Sequence, residues 1–189
     1  EMCIRDRSII SFVFRNQIRH LDFADGKYLP TMTLLEFLRA EPESRGTKEG
    51  CNEGDCGACT VVVVEKISGK FVYRALNSCV MFLPAIHGKQ LITIEDIGSS
   101  ENLHPLQKVF VETHASQCGF CTPGFIMSLF AQKANKIDST KEELIEAITG
   151  NLCRCTGYRA IVDATSEISK IQDLKYFETI ARFDLIDKI

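Results

Sequence analysis

CNEGDCGACT, residues 51–60, places three cysteines, Cys51, Cys56 and Cys59, within nine residues, among Gly54, Gly57, Ala58 and the acids Glu53 and Asp55. Small residues let a backbone bend sharply, and glycine reaches positive φ without steric penalty. Outward from this loop the theme returns with other spacings. QCGFC (117–121) supplies Cys118 and Cys121, CRC (153–155) supplies Cys153 and Cys155, and Cys79 follows Cys59 after nineteen residues. A disulfide framework usually spreads its cysteines through a small scaffold. Here, by contrast, seven of the nine cysteines fall into three tight groups. Pairing Cys153 with Cys155, or closing the CxxC, would give a strained or redox-active bridge. Metal ligation is the better reading, and it implies a reducing compartment, the cytoplasm.

Composition excludes other classes. The chain has 189 residues, 45% hydrophobic and 25% charged, as in ordinary soluble proteins, and fits one medium domain or two small ones. A net charge of −3 and the lack of any aromatic-basic run leave no nucleic-acid footprint. TVVVV (60–64) and FIMSLFA (125–131) fall short of the ~20 apolar residues of a membrane span, so they read as a core strand and a core helix.

From Ile9 to about Ile94 the pattern is strand-rich. IISFVF (9–14) and IRHLDF (18–23) read as strands around a turn at RNQ (15–17). TLLEFLRAE (33–41) has helical spacing, and TVVVVEK (60–66), FVYRAL (71–76) and QLITI (90–94) read as further strands. This predicts a sheet grasping one helix. IEDIGSSEN (94–102) links it to a helical half: PLQKVFVETHA (105–115), PGFIMSLFAQKAN (123–135), STKEELIEAITG (139–150) and YRAIVDATSEISKI (158–171). The third of these helices opens on a capping box, Ser139 or Thr140 against Glu142 or Glu143. The expected boundaries are 8–96 and 102–171.

C-x4-C-x2-C followed by a distant cysteine is the plant-type spacing of a [2Fe-2S] ferredoxin. Each iron takes a sulfur tetrahedron, and two bridging sulfides leave four thiolate positions. Cys51, Cys56 and Cys59 supply three from one loop, and Cys79, expected at the start of a helical turn, supplies the fourth. Amide N–H groups near the sulfurs would stabilise their charge. Structural zinc usually uses two CxxC-like knuckles, whereas here one loop carries three ligands. For Cys118, Cys121, Cys153 and Cys155, each pair preceding a helix start that favours thiolates, spacing points to a ligand set. Spacing alone leaves zinc or a cluster open.

Taken together, CNEGDCGACTVVV, LNSC, QCGFCTPGFIMS and NLCRCTGYRAIVDA resemble the iron–sulfur part of the molybdenum hydroxylases, the xanthine dehydrogenase and aldehyde oxidase family. The resemblance covers roughly residues 9–170, and EGDCGACTVVV with LPAIHGK looks most like the small subunit of bacterial xanthine dehydrogenase. It implies an α+β chain: a β-grasp, plant-type ferredoxin-like domain followed by a four-helix domain, each with one [2Fe-2S] cluster. Cys51, Cys56, Cys59 and Cys79 would bind the ferredoxin-type cluster. Cys118, Cys121, Cys153 and Cys155 would bind the one nearer the molybdenum cofactor. Gln117 and Cys155 match positions that contact the molybdopterin. The implied role is electron transfer, from molybdopterin in a large partner subunit through both clusters to FAD and NAD, during xanthine or hypoxanthine oxidation. No residue here is catalytic for the substrate, and no nucleic acid or membrane is implied. An aldehyde, carbon monoxide or N-heterocycle enzyme would use the same part. A zinc-stabilised binding module is the alternative of another class.

Residues 172–189 read as a linker toward an FAD domain, in cis or on a separate subunit; truncation of the chain is the favoured explanation. Residues 1–7, EMCIRDR, look foreign: MCIRD can be back-translated to a sequence resembling the end of a transposon adapter, so Cys3 is set aside. His20, His87, His104 and His114 are scattered and read as surface or satisfied core residues. Glu53 and Asp55 read as solvated loop acids, Phe120 as a packing residue, and Lys48 and Arg45 as surface. Arg154 either offsets cluster charge or pairs across an interface.

Overall fold

TVVVV is apolar without a break because its strand is covered on both faces. The structure, a computed structural model, describes residues 8–189. The proposed artefact at residues 1–7, with Cys3, lies outside the described residues.

β1 (Ile9–Phe14) and β2 (Gln17–Asp22) form an antiparallel hairpin with Ile9 opposite Asp22 and Phe14 opposite Gln17. Arg15 and Asn16, at φ 51° and 61°, turn it; two such residues give the twist a tight hairpin needs. The turn is thus one residue shorter than RNQ. α1 (Leu34–Ala40) begins at a reciprocal cap between Thr33 and Glu36. A second hairpin joins β3 (Thr60–Ile67) to β4 (Lys70–Asn77), and β5 (Gln90–Ile92) runs parallel to β1 and antiparallel to β3. The order β2-β1-β5-β3-β4 around one helix is the expected β-grasp.

Alternation along the strands divides the sheet's side chains between two cores. Phe12, Phe14, Val61, Val63 and Leu91 meet Leu34, Phe37 and Leu38 of α1. The Phe37 ring stands edge-on to Phe12 and Phe14, with centroids 5.8 Å away in each case. Val13, Val62, Val64, Tyr73 and Ile92 face the other way, into a core shared with the helical half. Each such fully buried aliphatic or aromatic side chain contributes about 1.5–3 kcal/mol.

That half follows a short α2 (Ile94–Ile97). Its helices are α3 (Pro105–Glu112), α4 (Thr122–Asn135), α5 (Lys141–Ala147) and α6 (Arg159–Ser169). α4 lies against β3 and β4 and also touches α3 and α5. With sheet on one side and helices on the other it is buried nearly all round, from Phe125 to Ala131. Thr140 and Glu143 cap α5, while Ser139 is buried and donates to Lys136 O.

Two expectations change. Cys79 lies inside a single hydrogen-bonded turn, closed by Val80 N on Asn77 O at 3.3 Å and braced by Ser78 on Cys59 O, rather than at its start, and the next helical segment is the 3-10 stretch Leu83–Ile86. Residues 172–189, expected as a linker, fold back on the sheet through α7 (Lys175–Glu178) and α8 (Phe183–Ile186). Phe177, Ala181 and Ile186 are buried, and Phe183 stacks on Phe71 at 3.9 Å. The buried Gln90 amide donates to Ile180 O at 3.0 Å and accepts from Arg182 N at 2.7 Å, tying the tail to β5.

Candidate metal centres

The Cys51–Cys59 loop wraps inward because Asn52, Gly54 and Gly57 take positive φ. The turn aims three amides at one sulfur: Cys51 Sγ accepts from Glu53 N at 3.5 Å, Asp55 N at 3.4 Å and Cys56 N at 3.3 Å. These donors, that of Glu53 foremost, bring the Cys51 thiol down to about 7. Asn77 Nδ2 donates to Gly54 O at 2.6 Å, so β4 braces the loop from behind. Cys59 and Cys79 are buried together against Leu35 of α1. Burial, then the contact with Cys59, pushes the Cys79 thiol up to about 12. Both causes disfavour the thiolate, burial most, and a bound cation would reverse them.

In the helical half, Cys118 and Cys155 are exposed, their sulfurs 3.5 Å apart. Cys121 is the N-cap residue of α4 and contacts Cys153. Burial, then that contact, raises the Cys121 thiol to about 12. Burial opposes ionisation of Cys153, but the Thr156 hydroxyl at 3.0 Å and amide at 3.4 Å outweigh it and draw its pKa down. Only Cys121 sits at a helix start. Cys153 and Cys155 lie on a loop held by Tyr158, whose hydroxyl accepts from Cys153 N at 2.8 Å and whose φ is 67°. Each pair precedes a helix start as expected, Cys121 directly at that of α4 and Cys153 and Cys155 on the loop that leads into α6. Phe120, Leu152, Arg154 and Tyr158 surround the four thiols in an open hollow of ≈ 580 Å³. Gln117 is exposed immediately before Cys118.

The eight thiols converge two by two: Cys51 with Cys56, Cys59 with Cys79, Cys118 with Cys155, and Cys121 with Cys153. Among the described residues no three His, Cys, Asp or Glu side chains close around the position of one metal ion. Paired donors suit a two-iron cluster, in which each iron takes two thiolates.

The two centres adjoin. Leu152 N donates to Cys56 O at 2.9 Å, joining the loop that carries Cys153 to the loop that carries Cys56. Asn151, 4% exposed, bonds Gly57 O, Thr60 and Ser128 beside this link. Sequence reasoning passed over Asn151 because nothing in NLCRC separates a buried amide from a loop residue. Gly124 was passed over too, although a glycine inside an apolar helix is itself a sign of close backbone approach. His104 is the satisfied core residue that the sequence allowed, and caps α3: Nδ1 accepts from Leu106 N at 3.2 Å and Nε2 lies 3.0 Å from Tyr176 O. Among the described residues no helix is long and apolar enough to cross a membrane.

Comparison with known proteins agrees with this geometry. Residues 27–83 match the 2Fe-2S iron-sulfur cluster binding domain family, and residues 93–166 match the [2Fe-2S] binding domain family. The xanthine dehydrogenase of Blastobotrys adeninivorans is 52% identical over 143 residues, 74% of this chain and 10% of that protein. Xanthine dehydrogenase 1 of Arabidopsis thaliana is 44% identical over 177 residues, 92% of this chain and 13% of that protein. The chain thus spans roughly a tenth of the length of these curated relatives. Among solved structures, quinoline 2-oxidoreductase from Pseudomonas putida 86 is 31% identical with a TM-score of 0.68, over 91% of this chain and 94% of that one. The aldehyde oxidoreductase of Desulfovibrio gigas is 34% identical with a TM-score of 0.72, over 85% of this chain and 17% of that one. With both cluster-domain families matched in order along one β-grasp and one four-helix unit, the chain belongs to the iron–sulfur part of the molybdenum hydroxylase (xanthine dehydrogenase and aldehyde oxidase) family.

Proposed function

We propose that this chain carries electrons for a molybdenum hydroxylase, from a molybdopterin centre in a large partner subunit toward FAD and NAD. Two [2Fe-2S] clusters, when bound, supply one-electron redox chemistry. Cys51, Cys56, Cys59 and Cys79 hold the ferredoxin-type cluster, and Cys118, Cys121, Cys153 and Cys155 hold the other. The observation that carries the reading is the hydrogen bond from Leu152 N to Cys56 O, because it links one ligand loop to the other at 2.9 Å. The exposed end of the path, with Cys118, Cys155 and Gln117, faces the molybdopterin subunit. There Gln117 and Cys155 offer a pterin edge an amide and a sulfur acceptor. At the other end, the Cys51 loop faces the flavin, whether that domain follows in cis or belongs to another subunit.

Xanthine or hypoxanthine is the proposed substrate, supported by the xanthine dehydrogenase relatives. The quinoline 2-oxidoreductase chain, matched over 94% of its length, supports an N-heterocycle as the second reading. In either case the substrate is oxidised in the partner subunit, and the cytoplasm is the proposed location. The test is iron, zinc and acid-labile sulfide per chain, on protein purified without oxygen, with an absorption spectrum. The expected result is about four irons and four sulfides and a colour that bleaches on reduction. Zinc without sulfide would overturn the reading and leave a structural module.

A further inference from the structure

The two ligand loops meet over a small buried polar network whose hydrogen atoms can be assigned. Ser128 Oγ donates to Asn151 Oδ1 at 2.7 Å. Asn151 Nδ2 donates to Gly57 O at 2.9 Å and to Thr60 Oγ1 at 3.2 Å, while the Thr60 hydroxyl donates to Gly57 O at 2.7 Å. Gly57 O can only accept, so the Asn151 group that faces both it and Thr60 is the N–H donor, and the amide has one orientation. Backbones touch around it. A Cβ on Gly57 would overlap Gly150 O and crowd Asn151, and a Cβ on Gly124 would overlap Gly57 O. Asn151 precedes Leu152 and Gly57 follows Cys56, so the network holds the Leu152–Cys56 bond from both strands of the contact.

We propose that Asn151 is a positioning residue for electron transfer between the two centres: its amide locks the Cys51–Cys59 loop onto the Gly150–Cys155 loop and holds the bridge between them. This rests on the electron-transfer reading above. The hydrophobic packing of α4 on the sheet would hold the two halves together without Asn151. What the amide adds is register at the one place where the ligand loops touch. Asn151→Asp has nearly the same shape, but a carboxylate cannot donate to Gly57 O and repels it.

The experiment uses the full chain purified without oxygen, as wild type, Asn151→Asp and Ser128→Ala. Three quantities are read: iron and sulfide content, exchange of the Leu152 amide, and the magnetic interaction between the two reduced clusters by low-temperature electron paramagnetic resonance. Asn151→Asp is expected to keep both clusters, exchange the Leu152 amide faster by about tenfold or more, and lose the splitting that arises from the interaction. Ser128→Ala removes only the donor that orients the amide and gives a milder change of the same kind, so the idea remains testable if Asn151→Asp does not fold. Unchanged exchange and unchanged splitting in a variant holding both clusters overturn the positioning role alone. Wild-type protein without iron and sulfide overturns the electron-transfer reading, and this proposal with it.

Discussion

The Asn135 carboxamide occupies both backbone groups of Tyr73, accepting from its N–H at 2.9 Å and donating to its C=O at 2.6 Å. Tyr73 lies on β4, an outer strand of the sheet, so these two groups have no strand partner on that side. The last residue of α4 therefore finishes the edge of β4. Asn135→Ala strands both groups at a partly buried position and should destabilise the fold by about 1–3 kcal/mol. Urea unfolding followed by far-ultraviolet dichroism measures this; a change below about 0.5 kcal/mol would mean that water replaces the amide at no cost.

Gly124 makes the opposite kind of contact, by lacking an atom. In an open helix Gly→Ala is stabilising by about 1 kcal/mol, but here the new methyl would overlap Gly57 O, which has no flexible side chain to yield. Gly124→Ala should destabilise by about 1–3 kcal/mol as an overpacked site. Gly150→Ala, with nothing within 4 Å of its Cβ, should be nearly neutral. Thermal unfolding of the two variants side by side checks the contrast; equal midpoints would refute it.

Ligand removal separates the centres. Cys121→Ala removes a thiol of the helical-domain pair set and should leave about half the iron, roughly two of four atoms per chain. Cys56→Ala should leave the complementary half. Iron and sulfide analysis with paramagnetic resonance identifies which signal persists. Loss of both signals in each variant would show that the two centres form only together.

His104 makes stability depend on pH. Burial is the main cause that holds its imidazole below the ordinary histidine value, outweighing the hydrogen bond to Tyr176 O. The unfolded chain therefore binds a proton more readily than the folded one, and stability rises with pH across the window between the two values. The contribution is complete above the unfolded value of about 6.5 and is lost as pH falls toward the lower folded value. Asp96, whose carboxyl is raised chiefly by burial, acts in the opposite sense, its contribution being lost as pH rises above the ordinary carboxylate value. His104→Asn keeps an N-cap acceptor but does not titrate. Wild type should lose more stability than this variant between roughly pH 7.5 and 5.5; equal losses would place the titration elsewhere.

Cysteine grouping and hydrophobic period, both local properties, made the chemistry and the order of elements legible in the chain itself. Three thiols on a glycine-bearing loop, a CxxC and a CxC can be read without coordinates. So can TVVVV as a core strand and the apolar run from Phe125 to Ala131 as a core helix. The turn at Cys79 was legible, but its brace was not, because the hold of Cys59 O on Ser78 spans nineteen residues, beyond any local pattern. The linker reading of 172–189 missed Phe177, Phe183 and Ile186 for a related reason: short apolar clusters show no period until a surface is known to receive them. The sequence by itself determined which thiols are grouped along the chain and most of the elements that carry them. Only the tertiary structure decided which thiols pair, that α4 closes the second face of the sheet, and that Asn151 joins the two loops. These depend on groups brought within hydrogen-bonding distance across many tens of residues, as Asn151 Nδ2 is to Gly57 O across 94, a relation in space that no local spacing encodes.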